Sequence, residues 1–340
     1  AGPVLHLMGT DPSIMEGSMT YVRICFSGIC VVLSYNVLAA ILRAIGDSTT
    51  PLVAMVIAAA INVGLDLLFV AGFGWGIAGA ASATVIGQFF SAVYCLIRLS
   101  RMEVMRLKRV HWKPDKTILT RLLTLSGPLA FQSTVIAVGG MILQSIVNTF
   151  GVIFVAGFTA TNKLYGLLEL AAISFGHAVS TYTGQNLGAR NYQRIKMGVR
   201  AGAKMAVLTA LVTSAVMIVF GRFFISLFVD AGNADADAVM TYAYHFLFTM
   251  SVFLFILYLL YIFRSALQGM GNTGIPMVSG IAELVMRIGS ALLLPHVIGE
   301  YGIYMAEVLA WAGATALLVI CYFRTERRFP KEGESQHLLD

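Results

Sequence analysis

Charge is what this sequence has least of: Asp, Glu, Lys and Arg together make up only 12% of its 340 residues. Soluble domains carry nearer a quarter, and so few charged side chains could not clothe a water-facing surface. Cysteine is sparse too. Cys25, Cys30, Cys95 and Cys321 lie inside apolar stretches without metal-type spacing, so they read as small packing residues. There is no phosphate-binding glycine loop, no HExxH helix and no nucleophile elbow, and nothing points to an enzyme or to a bound cofactor. Short alternating segments of the kind that build a transmembrane barrel are absent as well.

Apolar residues fill the space that charge leaves. They form 58% of the chain, with a mean hydropathy of +0.81. They fall in about nine blocks, at 19–42, 52–72, 76–98, 119–148, 153–180, 199–228, 238–262, 276–297 and 302–323. At about 1.5 Å per residue each block can cross a ~30 Å hydrocarbon core as a helix. The expected fold class is therefore an all-α polytopic membrane protein.

Basic residues set the expected orientation. Arg98, Arg101, Arg106, Lys108, Arg109, Lys113, Lys116 and Arg121 follow the third block, and Arg190, Arg194, Lys196, Arg200 and Lys204 follow the fifth. The tail adds Arg324, Arg327, Arg328 and Lys331, and two short turns hold Arg43 and Arg264. Nineteen of the 23 Lys and Arg thus fall on one side if nine spans alternate, while the opposite loops are neutral or acidic, as at Asp230, Asp235 and Asp237. By the positive-inside rule, the basic loops and the C-terminus are cytoplasmic and the chain is a multi-pass protein of the inner (plasma) membrane. These charges account for the net +6 as topology signals and contacts to anionic membrane lipids, so no nucleic-acid partner is expected.

The chain also repeats itself. Leu42-Arg43-Ala44-Ile45-Gly46-Asp47-Ser48-Thr49-Thr50-Pro51 matches Leu267-Gln268-Gly269-Met270-Gly271-Asn272-Thr273-Gly274-Ile275-Pro276 position for position. In each copy a glycine permits a tight bend, a small polar residue can cap the next helix, and proline sits where its missing N–H costs little. Gly76-Ile77-Ala78-Gly79-Ala80 echoes Gly302-Ile303 at nearly the same offset. The expected organisation is a remainder of an N-terminal lobe over 1–98 (three spans), an inter-lobe linker over 99–118, a C-terminal lobe over 119–323 (six spans) and a tail over 324–340. Four spans precede or enter the second motif and only one the first, which implies a protein of twelve spans with three lying ahead of Ala1. Two six-span repeats in one orientation are typical of alternating-access transporters.

These turns, the segment Gly184-Gln185-Asn186-Leu187-Gly188-Ala189-Arg190 and the six-plus-six plan resemble the multidrug and toxic compound extrusion (MATE) family over essentially the whole chain. The resemblance implies a two-lobed bundle that works as a secondary active efflux transporter. It would exchange H⁺ or Na⁺ for small cationic or amphipathic organic compounds by alternating access, as a monomer.

Asp66 stands out within the second block, about eight residues and so about 12 Å from the outer end. A carboxylate at that depth is costly unless it faces a wet cavity or a partner. Asn62 shares its helix face at i−4. Counting equally each way from Trp75 pairs Asp66 with Thr84 and Asn62 with Gln88. Asn62, Asp66, Thr84 and Gln88 are therefore expected to converge on one polar pocket, where oxygen ligands suit Na⁺ and a desolvated carboxylate can carry a proton. The competing reading is that these groups only bond spans together. The Asn-xxx-Asp pair with a Thr on the next span is similar to the N-lobe cation or proton site of the DinF-like branch of the family, which also has an Asp on the first span, outside this chain.

In the second lobe the repeat sets Glu283, Arg287 and Ala291 against Ala58, Asn62 and Asp66. Glu283 and Arg287 at i, i+4 can form an intramembrane ion pair with a structural or gating role, and Glu283 is also a candidate cation ligand by resemblance. Glu169 has no partner by spacing and reads equally as a substrate contact or a hydrogen-bonded group. Two other functions compete: a flippase for lipid-linked saccharides built on the same superfamily plan, and a membrane receptor or scaffold that does not transport.

Overall fold

The structure is a computed structural model that describes residue 2, residues 12–103, residue 113, residues 115–229 and residues 235–330. Every regular element among the described residues is helical. Two compact units divide the chain, residues 1–114 and residues 115–340. In the first unit lie α1 (Pro12–Ser27), α2 (Ile29–Ala44), α3 (Thr49–Asp66), which continues as a π-helical turn over Leu67–Gly72, and α4 (Gly76–Ser100). The second unit holds α5 (Lys116–Val147), α6 (Val152–Gly188), α7 (Tyr192–Ser226), α8 (Ala236–Val252), α9 (Leu254–Gly269), α10 (Gly274–Leu293), α11 (Pro295–Ile298) and α12 (Tyr301–Glu326).

Among the described residues, six helices are long and apolar enough to cross a membrane singly, and two bent pairs, α1–α2 and α8–α9, qualify together. The expected span at 153–180 lies within α6, whose 37 residues are ample in length but include Asn162, Lys163, Glu169 and His177. Large apolar side chains such as Leu208, Val219, Phe223 and Leu293 remain on the outside, as lipid-facing residues do. Of the expected linker, residues 104–112 and 114, including Arg106, Lys108 and Arg109, lie outside the described residues, as do Asp230 and the tail from Lys331 onward.

The internal repeat extends well beyond the motif that revealed it. The pair α1–α2 bends by 51° and α8–α9 by 50°. The break falls at Gly28 in one and at Phe253 in the other, the same offset that relates Leu42 to Leu267. At Gly28 a Cβ would lie only 2.5 Å from the Val85 side chain, so glycine there lets the bent span lie against α4. After each bent span the chain turns alike: Gly46 has φ 94° and Gly271 φ 78°. The Asp47 amide donates to Leu42 O at 2.9 Å and the Asn272 amide to Leu267 O at 3.0 Å. Side chains then cap the next helix. Asp47 Oδ1 accepts from the Thr50 amide at 2.9 Å, and Asn272 Oδ1 from the Ile275 amide at 3.3 Å. In each unit the helix after the turn packs on the helix that follows, α3 on α4 and α10 on α12.

The second unit has the larger core. Trp311, Tyr258, Tyr304, Tyr322 and Phe246 are almost wholly buried, with Phe158 stacked on Phe246 at 4.7 Å and Tyr165 on Trp311 at 5.7 Å between ring centroids.

Candidate functional site

Small residues bring α3 and α4 together. Gly87 of α4 meets α3 so closely that a Cβ would lie 2.9 Å from Ala58 O, and Ser91 Oγ donates to Ala54 O at 3.0 Å. Ala54, Ala58 and Asn62 recur every four residues along one face, and Ser91, Gly87 and Thr84 answer them from the antiparallel neighbour. Asn62 Nδ2 donates to Thr84 Oγ1 at 3.4 Å, while the Thr84 hydroxyl donates to Ala80 O at 3.0 Å.

This register differs from the one counted from Trp75. Thr84 meets Asn62 rather than Asp66, and Gln88 is not bonded to Asn62. A contribution comes from the π-helical turn, in which the Phe73 amide donates five residues back to Leu68 O at 2.9 Å. A π turn spends an extra residue on the same height, so the hairpin is not symmetric about Trp75. Asp66 therefore stands one helical turn beyond Asn62, and Gln88 one turn from Thr84 on the other side. The four residues form a polar stripe across two helices rather than a closed ring.

Asp66 is the last residue of α3 before the helix widens. It is half-buried, and its Oδ1 and the Oε1 of Gln88 are shielded from solvent without a hydrogen-bond partner. A π turn beside a carboxylate that lacks a partner is a feature found often at functional sites. A proton needs only Asp66. A sodium ion needs further oxygens beside Asp66, and Asn62 is the polar side chain one turn from it.

The second unit treats its charges in the opposite way. Glu283 and Arg287 do pair, Arg287 Nη2 donating to Glu283 Oε1 at 3.0 Å. Two partners that the sequence pattern does not join to them complete the set. Arg264 Nη2 donates to Glu283 Oε2 at 2.7 Å, and Arg287 Nη2 to Glu307 Oε2 at 3.0 Å. Arg264 thus belongs to the interior of the bundle, only 6% exposed, and not to a cytoplasmic turn. Hydropathy places it in the turn because the apolar block ends at 262, two residues short of it. Glu307 stands in plain view as an ionisable residue inside an apolar block. Gly139 of α5 leaves the space these guanidinium groups need: a Cβ there would lie 3.2 Å from Arg287 Nη1. Glu169 finds a partner 92 positions away, accepting from the Tyr261 hydroxyl at 2.7 Å.

Bent spans and a glycine turn that recur in both units define a polytopic helical membrane protein built on an internal repeat. The chain belongs to the MatE family, whose model matches residues 1–68 and 128–293. It is 32% identical over 236 residues to the probable multidrug resistance protein YpnP of Bacillus subtilis (strain 168), a match covering 68% of this chain and 52% of that one. The probable multidrug resistance protein YoeA of the same organism is 26% identical over 313 residues, covering 90% and 62%. The chain thus spans roughly half to two thirds of the length of these relatives. Among solved structures, that of an outward-facing multidrug resistance MATE family transporter of the MOP superfamily aligns with a TM-score of 0.89 at 23% identity, over 96% of this chain and 73% of that one, which shows the fold.

Proposed function

We propose that this chain forms the greater part of a secondary active efflux transporter that exchanges H⁺ or Na⁺ for cationic or amphipathic organic compounds, with Asp66 as the coupling carboxylate. Membership of the MatE family and the similarity to YpnP and YoeA, both probable multidrug resistance proteins, support the transport reading. The observation that carries the coupling role is Asp66 itself, shielded at Oδ1, unpartnered, and set where α3 passes into a π turn. Asn62, Thr84 and Gln88 extend its polar stripe. Entry of the ion at Asp66 from outside favours the conformation that releases substrate, and substrate arriving from the cytoplasmic side favours ion release. The basic loops face the cytoplasm.

Glu283 and Arg287 act together with Arg264 and Glu307 as a structural or gating cluster, since every charge in that set is matched.

The test uses the full-length protein in proteoliposomes carrying an imposed proton or sodium gradient. Asp66→Asn should abolish gradient-driven efflux while the protein stays folded. Export that keeps its ion dependence in that variant would remove Asp66 from the mechanism. Asn62→Ala and Thr84→Ala separate the ions: both should impair sodium coupling severely and proton coupling only mildly, because a proton requires the carboxylate alone.

A further inference from the structure

A polar cavity lies wholly within the second unit. It is a cleft of about 450 Å³ between α5, α6 and α9, within the size range of small-molecule sites. Leu129, Ile136 and Ile173 give it apolar walls, and Gln132, Arg264 and Ser265 give it a polar end.

The polar end is built rather than incidental. Gln132 is 4% exposed, Arg264 6% and Ser265 7%. Arg264 Nε is shielded from solvent without a hydrogen-bond partner. Gln132 is seated by Gly280 of α10, where a Cβ would lie 2.8 Å from its Cγ. Burying the Arg264 Nε–H without a partner costs free energy unless another group reaches it.

Charge order gives the site its sign. Arg264, Glu283, Arg287 and Glu307 form a line of alternating charge joined by contacts of 2.7, 3.0 and 3.0 Å. The line is neutral as a whole, yet its ends differ, and the end that reaches the cleft is the cation Arg264. The remaining carboxylate nearby, Glu169, lies behind Tyr261 and accepts that residue's hydroxyl proton at 2.7 Å. Tyr261 and not Glu169 lines the cleft.

We propose that this cleft binds the carboxylate head of an amphipathic organic molecule, with Arg264 and Gln132 as donors to its oxygens and the α5 and α6 side chains against its apolar body. Whether the bound molecule is then moved across the membrane rests on the transporter reading. Binding at the cleft does not.

Equilibrium binding to the full chain in nanodiscs tests this, with three labelled probes that share one body: 2-naphthoate, 2-naphthamide and 2-naphthylmethylammonium. Naphthoate should bind at least about tenfold more tightly than the ammonium probe, with the amide between them. Gln132→Leu and Ile173→Trp should each weaken naphthoate by about tenfold, the first by removing a donor and the second by filling the cleft, and neither touches the ion pairs. Asp66→Asn should leave naphthoate binding unchanged even where it abolishes ion-driven efflux, so failure of the coupling role and failure of this site are read separately. Tighter binding of the ammonium probe, equal binding of all three, no binding of any, or naphthoate binding untouched by both cleft substitutions would each overturn the proposal.

Discussion

The two units carry the same turn and the same bent span, but they handle buried polarity in contrary ways. At the positions that the repeat makes equivalent, the first unit has Ala58, Asn62 and Asp66, and the second has Glu283, Arg287 and Ala291. The second copy pairs its charges with each other and with Arg264 and Glu307. The first copy offers at these positions one carboxylate without a hydrogen-bond partner at Oδ1, and no ion pair joins it to a cation among the described residues. A matched buried network resists change of any one member, because removal leaves an uncompensated charge. The coupling role proposed for Asp66 requires instead a carboxylate whose missing partner a proton or a cation could supply. On that proposed role, one framework holds a fixed polar core and an exchangeable one.

The largest expected effect breaks the fixed core. Arg287→Met strands Glu307 and deprives Glu283 of one of its two cations, and it should cost ~3–5 kcal/mol in unfolding of the membrane-embedded protein. Adding Glu307→Gln should restore much of that loss. Asp66→Asn, nearly isosteric and with no ion pair to break, should change the same measurement by less than ~1 kcal/mol. Equal losses in the two variants would erase the distinction between the units.

Next in size is the helix contact that carries the exchangeable site. Gly87→Val would push a side chain into Ala58 O, part α3 from α4, and cost ~1–3 kcal/mol by thermal unfolding. The same separation should remove the Asn62–Thr84 contact, which an amide resonance assignment of Asn62 would register.

The two turns provide the smallest and sharpest contrast. Loss of the cap in Asn272→Ala should cost ~0.5–2 kcal/mol. Its counterpart, Asp47, is ionisable, and the Thr50 hydroxyl and amide that donate to it hold its carboxyl below the ordinary carboxylate range. A depressed folded value means that the cap's contribution is present above the unfolded carboxylate value, about 3.9, and is lost as pH falls through the lower folded one. Hydrogen exchange at the Thr50 amide should therefore quicken in acid beyond its intrinsic trend, while that of Ile275, capped by neutral Asn272, should not. Asp47→Asn should make the first turn as insensitive as the second.

Much of this is legible in the sequence because the relevant signals are local. Apolar runs set the spans, and ten consecutive positions set the repeat. The bends at Gly28 and Phe253 are not legible, since they sit inside unbroken apolar blocks and depend on neighbours such as Val85. Counting from Trp75 sets Thr84 against Asp66, whereas it meets Asn62, because the hairpin is not symmetric about Trp75 and a π turn leaves no residue pattern. Glu169 and Tyr261 are 92 residues apart, and no spacing rule on one helix joins them. Arg264 is misplaced wherever a hydropathy boundary stands in for a helix end.

The central contrast has a direct spectroscopic test. Infrared difference spectra of the full-length protein, recorded on a change of pH or of sodium concentration, report carboxyl groups that gain or lose a proton or a cation. The account predicts a carboxyl band that responds in the wild type, disappears in Asp66→Asn and persists unchanged in Glu283→Gln. A band that survives Asp66→Asn, or one that disappears with Glu283→Gln, would contradict it.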